Sequence, residues 1–364
     1  MFRLWALASA ALIALPAFVF TAPTLAAEFP PELATVIEGA KKEGKLVLST
    51  SASMLNAGPG IKTAVDGFNK MYGTNVEVTW SPGPHPAQIG GKLLAERQAN
   101  QEAFTDAIIC TPAQCSPFAK QGLFRQVAWD KMMPGRIKPE YVEANGTSLR
   151  VYTGLPMIEY NKSEEARMAN VTSLQDFLKP EWKGKFYSTI QLSGFDVLLA
   201  EGSWGEKKLA DWVRPMAKQA AGLIECGADD RIASGEVPVF VIDCGGQGPN
   251  IKRFNGAIKG KLLPEVAQIR YFYVAVPKHA AHPNAAILFG LWWATPEAQK
   301  YHWDVRAADN SDYPDSTRRK EIIEPLEKQG VKFVHLTIDW WDKQKGLTDS
   351  FRRVLKIAME SGAQ

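Results

Sequence analysis

One stretch near the middle of the chain decides the fold: Arg150-Val151-Tyr152-Thr153-Gly154-Leu155-Pro156-Met157-Ile158-Glu159-Tyr160-Asn161-Lys162. It reads as two extended segments with a break between them. Gly154 permits backbone angles closed to other residues, and Pro156 fixes its own angle and restrains Leu155. A second extended stretch is Ile269–Pro277. We interpret both stretches as crossings between two lobes that form the floor of a cleft; the alternative is two ordinary strands of one domain.

The first 27 residues have the pattern of a secretory signal peptide. Arg3 precedes an apolar run, and the small residues that close the segment predict cleavage after Ala27. Pro16 and Pro23 argue against the alternative, a membrane anchor, and no later stretch is long and apolar enough to span a bilayer. We therefore expect a soluble mature protein in the periplasm.

The composition is that of a packed globular protein. The 364 residues allow two domains, and 46% of them are hydrophobic and 22% charged. The net charge of +3 is too small to indicate a nucleic-acid partner. We expect a monomer that has no nucleic-acid partner and needs no cofactor.

Four cysteines follow the signal segment, which in an oxidising compartment favours disulfides. Local pairing is preferred, Cys110 with Cys115 and Cys226 with Cys244. Three connectivities satisfy the count, and free thiols are the alternative. A metal site is disfavoured because neither spacing is Cys-x2-Cys and no histidine lies close by.

Strand and helix patterns alternate on both sides of the central stretch, which predicts an α/β protein with parallel sheets covered by helices. Ligands of such sheets bind beyond the carboxyl ends of the strands. The turns at those ends are Ser49–Ser53, Ser81–His85, Thr111-Pro112, Ser193-Gly194 and Gly245–Gly248. Their hydroxyls and free N–H groups suit a carboxylate, phosphate or phosphonate. Simple N-capping of the following helices is the alternative for each turn.

Several pieces, in this order and spacing, resemble the solute-binding proteins of ABC importers, in the family 1, type II group that includes ferric-iron, phosphonate and sugar-phosphate binders. The pieces are Gly90–Arg97, Thr105–Ile109, Met157–Asn161, Thr172–Lys185, Pro277–Ala286 and Thr295–Gln299. The resemblance implies two Rossmann-like lobes joined by crossing hinge strands at Tyr152–Pro156 and Arg270–Val276. It also implies a membrane permease and an ATPase as partners.

The resemblance divides the mature chain into lobe 1, residues 28–152 and 272–310, and lobe 2, residues 157–270. Residues 311–364 form a C-terminal segment expected to pack on lobe 2. The implied function is capture of a small solute, an organic or phosphorylated anion, in the cleft between the lobes, without catalysis.

Two other functions are the alternatives. The ferric branch of the family holds its metal with an adjacent tyrosine pair after the strand that here ends at Cys244, and this chain has Gly245–Pro249 there. That disfavours the alternative of an iron importer and predicts no metal ligands. A secreted enzyme on the same scaffold is a further alternative, but the sequence shows no clear nucleophile and base.

The predicted ligand contacts combine these turns with side chains near the crossings. Trp80 and Tyr152 could stack on a ligand or pack in the core. Asp243 could bind an amine or cap its own turn, Arg270 could supply a countercharge or form a surface ion pair, and Tyr271 and Tyr273 could form an aromatic wall. The full predicted set is Ser49, Thr50, Ser51, Trp80, Ser81, His85, Thr111, Tyr152, Ser193, Gly194, Asp243, Gln247, Arg270, Tyr271 and Tyr273.

Overall fold

The structure is a computed structural model that describes residues 29–50, 57–83, 86–189, 192 and 194–362. The predicted signal peptide, Met1–Ala27, lies outside the described residues. The strands of the described chain are β1 Lys45–Thr50, β2 Glu77–Pro82, β3 Ile108–Cys110, β4 Val142–Glu143, β5 Ser148–Gly154, β6 Met157–Asn161, β7 Tyr187–Thr189, β8 Gly222–Ile224, β9 Val239–Asp243, β10 Ile258–Lys261, β11 Gln268–Ala275 and β12 Val334–Leu336. The helices are α1 Pro31–Glu43, α2 Ala57–Tyr72, α3 Pro86–Gln98, α4 Pro112–Lys120, α5 Trp129–Met132, α6 Glu165–Met168, α7 Gly205–Gln219, α8 Asp229–Ser234, α9 Pro283–Trp293, α10 Pro296–Arg306, α11 Glu324–Lys328, α12 Ile338–Lys343 and α13 Leu347–Gly362.

Lobe 1 is built from periodic helices that cover a mixed sheet. In α1, Leu33, Val36, Ile37 and Ala40 recur at helical spacing and are buried, and Gly44 ends the helix with a left-handed φ of 61°. β1 and β2 pair in parallel, and a bridge from Leu48 to residue 107 connects them to the region of β3. Strand β11 then pairs antiparallel with β3 and β5. The core between these layers includes α2 and α9.

Lobe 2 has its own five-stranded sheet and its own core. The strand order is β10-β6-β9-β7-β8, in which β7 pairs in parallel with both neighbours and β6 runs antiparallel to β9 and β10. The amphipathic helix α7 buries Leu209, Trp212, Val213 and Met216 against this sheet. Both lobes therefore mix parallel pairs with antiparallel strands, because strands that arrive from the other lobe run against the parallel set.

The chain crosses between the two sheets at the central stretch. β5 belongs to the lobe 1 sheet and β6 to the lobe 2 sheet, and only Leu155 and Pro156 separate them. The second crossing differs from the prediction. β11, which contains Arg270, lies entirely in the lobe 1 sheet, so the return crossing lies between Lys261 and Gln268. An alternating run shows that a strand exists but not to which sheet it pairs.

The C-terminal segment contacts both lobes. β12 extends the lobe 1 sheet by pairing in parallel with β11, and α12 packs beside α4. The amphipathic helix α13 then packs on α7, with Val354 and Ala358 buried in the lobe 2 core.

Two disulfides connect Cys110 to Cys115 and Cys226 to Cys244, with Cα–Cα distances of 5.6 and 5.7 Å. The strands before Cys226 and Cys244 are not neighbours, since β7 lies between β8 and β9. The turns that follow the strands bring the two cysteines together instead.

Within the described ranges, no helix has the length and apolar character needed to span a membrane.

Candidate functional site

The end of β1 and the end of β2 meet at one edge of lobe 1. Ser49 and Thr50 are buried, and Ser81 is exposed opposite Ser49 in the strand register. The indole Nε1 of Trp80 donates to Thr50 Oγ1 at 2.9 Å, and the half-buried ring packs against the lobe 1 core. These are the contacts expected of the packing alternative for Trp80. Ser51 and His85 lie outside the described residues.

Thr111 is the N-cap residue of α4. Its backbone N–H donates to Gln114 Oε1 at 3.1 Å, and a proline occupies the first helical position. This is the arrangement expected of a residue that begins its own helix. N-capping of α4, the alternative to a ligand contact, explains these contacts of Thr111.

Tyr152 lies on β5 just before the crossing. Its ring stacks on Phe272, with centroids 4.2 Å apart, and lies near Trp293 at 5.8 Å. Burial raises the pKa of the phenol, and the positive charges of Arg306 and Arg270 oppose that rise. The hydroxyl is therefore neutral and lies within electrostatic reach of two arginines at the floor between the lobes.

The turn after β9 is held by Asp243. One carboxylate oxygen, Oδ2, accepts from the N–H groups of Gly245 and Gly246 at 3.0 and 3.1 Å. Gly246 has a φ of 57°, and a Cβ there would lie 1.8 Å from the carbonyl oxygen of Leu155 in the crossing. Only glycine fits this close approach of turn and hinge. Asp243 is thus the cap of its turn.

Two carboxylates that the sequence did not indicate lie next to this turn. Glu159 is fully buried, and its Oε1 accepts from the N–H of Gly248 at 2.9 Å. Asp229, at the start of α8, is 2% exposed. Its Oδ1 and the Oε2 of Glu159 lie on the same side of Gly248, 3.1 and 2.5 Å from where a Cβ of that residue would be. We refer to Glu159, Asp229 and Asp243 as the carboxylate cluster.

Burial is the main cause of the titration behaviour of Glu159 and Asp229. It raises the pKa of Glu159 well above its ordinary value, and the negative charges of Asp243 and Asp229 add to the rise. It also raises the pKa of Asp229, with Asp243 adding to the rise and Arg306 opposing it. Glu159 and Asp229 therefore hold a proton more readily than free carboxyl groups do.

Arg306 connects lobe 1 to this cluster. It is the last residue of α10, and its guanidinium lies 3.2 Å from Asp229 Oδ2 and 3.5 Å from Gln247 Oε1. Its side chain is 15% exposed. Sequence patterns did not indicate this role, because an arginine in the last turn of a helix is an ordinary complement to the helix dipole.

Two further contacts connect α10 to lobe 2. Lys252 in lobe 2 pairs with Asp304 at 2.6 Å, and Trp303 packs against Ile251. The C-terminal half of α10 and the segment after the glycine turn therefore form one interlobe contact, which includes Arg306.

Gly194 packs next to Pro156 of the crossing. Its carbonyl oxygen accepts from Gln268 Nε2 at 2.5 Å, and its φ is 98°. A Cβ there would lie 2.4 Å from Ile242 Cγ2, so this glycine is required for packing. The segment after it is a 3₁₀ turn over Asp196–Leu199 rather than the predicted helix, and α7 starts only at Gly205. Ser193 lies outside the described residues.

Three predicted contacts have other roles in the structure. Arg270 and Asp196 form an ion pair in which both side chains are 2% exposed, so it is neither a free countercharge nor a surface pair. Tyr271 and Tyr273 are buried in lobe 1, where the hydroxyl of Tyr273 donates to Glu143 at 2.7 Å.

The hydroxyl of Tyr271 donates to Asp312 at 3.0 Å. The two rings do share one face of β11, as alternation requires, but that face is covered by the C-terminal segment rather than open to the cleft.

The described residues contain no group of three or more histidine, cysteine, aspartate or glutamate side chains placed to hold a metal ion. The carboxylate cluster is instead occupied by backbone N–H groups and by Arg306.

Comparison with solved structures identifies this two-lobe arrangement. The periplasmic binding protein AgtB from A. tumefaciens R10, in complex with agropinic acid, matches with a TM-score of 0.66 and 16% identity over 88% of this chain and 99% of its own. The chain has the type II periplasmic binding protein fold.

Other solved structures with this fold carry different solutes. AfuA from Actinobacillus pleuropneumoniae, with fructose-6-phosphate bound, matches with a TM-score of 0.65 and 16% identity over 88% of this chain and 98% of its own. Iron-bound HitA from Pseudomonas aeruginosa matches with a TM-score of 0.60 and 16% identity over 87% of this chain and 99% of its own. No family model and no curated protein sequence matches the chain. The assignment of the periplasmic binding fold therefore rests on structural similarity and not on a relative found by sequence.

Proposed function

We propose that this chain is the solute-binding component of an ABC importer, and that it captures a small organic or phosphorylated anion between its lobes in the periplasm. It would then deliver the solute to a membrane permease driven by an ATPase. The periplasmic binding fold supports a role in capture and release, in which the lobes close around a ligand. The related folds in complex with agropinic acid and fructose-6-phosphate support an anionic solute.

One observation carries the choice of an anion. The guanidinium of Arg306 lies between the lobes, beside Gln247 and within electrostatic reach of Tyr152. A partly buried arginine next to polar side chains presents two parallel N–H groups to a carboxylate or phosphate.

The two tyrosines near the hinge do not favour iron. Burial raises the pKa of both Tyr271 and Tyr273, and their hydroxyls are bonded to Asp312 and Glu143. A phenol must lose its proton to bind ferric iron, which a raised pKa opposes.

A thermal-unfolding screen of the mature protein tests the proposal. The panel contains organic acids, sugar phosphates including fructose-6-phosphate, agropinic acid, spermidine and Fe(III). A ligand of the native state at a hundred times its Kd stabilises by about 2.7 kcal/mol, which raises Tm measurably. We expect one or more anions to do so. Stabilisation by spermidine or Fe(III) alone would overturn the proposed solute class, and turnover of an ester or phosphate panel would overturn the binding role.

A further inference from the structure

We propose that Arg306 is the residue that binds the solute's oxyanion, and that it exchanges Asp229 for that oxyanion as the solute binds, with uptake of a proton by the carboxylate cluster. This rests on the proposed function and assigns the group that recognises the solute. The group that Arg306 would bind is a carboxylate or a phosphate, which offers two oxygens to the two guanidinium nitrogens.

The first support is the position of Arg306 between lobes. It leaves the end of α10 in lobe 1 and contacts Asp229 and Gln247 in lobe 2. Gln247 stands on the glycine turn, whose backbone closely approaches the hinge at Leu155. A group bound by Arg306 would thus touch lobe 1, lobe 2 and the crossing together, which is the contact that favours a closed form.

The second support is that the pair with Asp229 is not an optimal one. The distance of 3.2 Å is longer than the roughly 2.7–2.9 Å typical of charge-assisted bonds. The ion pair involves one nitrogen of the guanidinium, and a second nitrogen faces the neutral Gln247 oxygen at 3.5 Å. Two oxygens of a carboxylate or phosphate would bond both nitrogens at once and so compete well with the existing partner.

The third support is the surroundings of Asp229. The charged groups that face it are Asp243 and Glu159 in the sheet, Arg306 from lobe 1 and Arg253 from the loop before β10. Arg253 is itself paired with Asp230 at 2.9 Å on the surface. Asp243 is used by the glycine turn, and Glu159 Oε2 has no hydrogen-bond partner among the described residues. Among these groups, Asp229 with Arg306 is the pair that joins the lobes.

The balance of charge then predicts proton uptake. When Arg306 turns to an oxyanion, Asp229 loses the positive charge that holds its pKa down, while burial and Asp243 still raise it. Glu159, whose pKa is raised further, lies behind it and is influenced by the buried Arg318 as well. The anion-bound form therefore binds more protons than the free form, and anion affinity rises as pH falls.

Isothermal titration calorimetry of the mature protein tests this with sulfate and oxalate as probes. Sulfate stands for a phosphate and oxalate for a carboxylate, and neither is expected to titrate appreciably near neutral pH. We expect binding of at least one probe, tighter at about pH 5.5 than at about pH 7.5, with uptake of up to about one proton seen in buffers of different ionisation enthalpy.

Three variants separate the role of Arg306 in binding the oxyanion from the role of Asp229 in taking up the proton. Arg306→Gln should weaken probe binding by about tenfold or more. Asp229→Asn, which keeps the shape but frees the guanidinium, should tighten binding and abolish most of the proton uptake. The control Arg253→Gln removes an exposed arginine that is paired with Asp230 and whose charge also acts on Asp229, and it should change binding by less than about threefold. Circular dichroism checks that each variant is folded.

The outcomes distinguish the two proposals. Equal binding of a probe by wild type and Arg306→Gln overturns the role of Arg306, as does unchanged proton uptake in Asp229→Asn. If wild type binds neither probe, this inference fails, while stabilisation by a larger anion in the thermal screen would leave the proposed function standing. Binding of only one probe upholds the inference and shows whether the solute group is tetrahedral or planar.

Discussion

Two arginine–aspartate pairs join the lobes, and their surroundings differ. Arg270 and Asp196 are both 2% exposed and lie under the hinge. In the pair of Arg306 and Asp229 beside the glycine turn, the aspartate is equally buried, but the arginine is 15% exposed. A pair that is fully withdrawn from water costs much to open, because each ion is then separated from its counterion without gaining water. A pair whose arginine keeps contact with water costs less to open, because the guanidinium stays partly hydrated. The first pair therefore holds the hinge, and the second is suited to respond to a ligand.

The largest effect is expected from breaking the first pair. Asp196→Ala removes the buried carboxylate that faces the guanidinium of Arg270, and the free energy of unfolding should fall by about 3–5 kcal/mol. Urea unfolding measures this. The control is Asp304→Ala, which removes an exposed interlobe partner of Lys252 and should cost less than about 1 kcal/mol. Equal losses in the two variants would show that burial does not decide how much an interlobe ion pair stabilises the fold.

A second effect tests the contact between the glycine turn and the hinge. Gly246→Ala places a Cβ against the carbonyl oxygen of Leu155 and should lower the free energy of unfolding by about 3 kcal/mol. Gly44→Ala is a matched control, because its φ of 61° is similar but no atom of the described residues lies within 4 Å of its Cβ position. It should cost only about 1 kcal/mol of backbone strain. Similar thermal unfolding of both variants would show that the turn does not press on the hinge.

The two disulfides give a third comparison. Cys226 and Cys244 are 18 residues apart and hold the turn that carries Gln247, whereas Cys110 and Cys115 are 5 apart. Loop-closure entropy predicts losses of about 3 and about 2 kcal/mol on replacing each pair by serine. Only the first replacement should also weaken anion binding, since only that disulfide adjoins the carboxylate cluster. Calorimetric titration of both double variants decides this.

The smallest effect at neutral pH is expected from Glu159→Gln. Because the folded-state pKa of Glu159 is raised, its contribution to stability is fully present below the ordinary glutamate pKa and is lost as pH rises toward the folded value. A neutral glutamine side chain at this position would remove that part of the dependence of stability on pH. It would leave the free energy of unfolding at neutral pH equal or slightly higher.

Glu206 should give a pH dependence of stability with the opposite sign. Arg353 and Ser350 lower its pKa to about 2, so its contribution is present at neutral pH and is lost as pH falls toward that value. Glu206→Gln should therefore cost less than about 1 kcal/mol at neutral pH, since the pair is exposed. Unfolding curves from about pH 2 to about pH 8 compare the two variants over the range in which both slopes appear. A steeper slope in Glu159→Gln would contradict the burial of a neutral carboxyl.

Much of the fold follows from periodicity in the sequence. The buried positions of α1 and α7 and the amphipathic α13 are where helical spacing places them, and the break at Gly154 and Pro156 is the first crossing. These features depend on residues close together in the chain, which is what a periodic pattern records.

The candidate site depends on contacts between distant residues. Arg306 and Asp229 are 77 residues apart, and neither has a local signal beyond an ordinary helix end. For Tyr273, alternation predicted the shared face with Tyr271, but its partner Glu143 is 130 residues away. Which face of a strand becomes covered is decided by the segment that packs there, here the C-terminal one, and a single strand does not encode it.

Native mass spectrometry of the mature protein as purified, beside its denatured mass, tests the central claim most directly. The wild-type protein should retain a small organic or phosphorylated anion, and Arg306→Gln should lose it while the exposed control Arg352→Gln keeps it. A retained mass of iron or of a polyamine, or the same anion held equally by Arg306→Gln, would contradict capture of an anion by the arginine between the lobes.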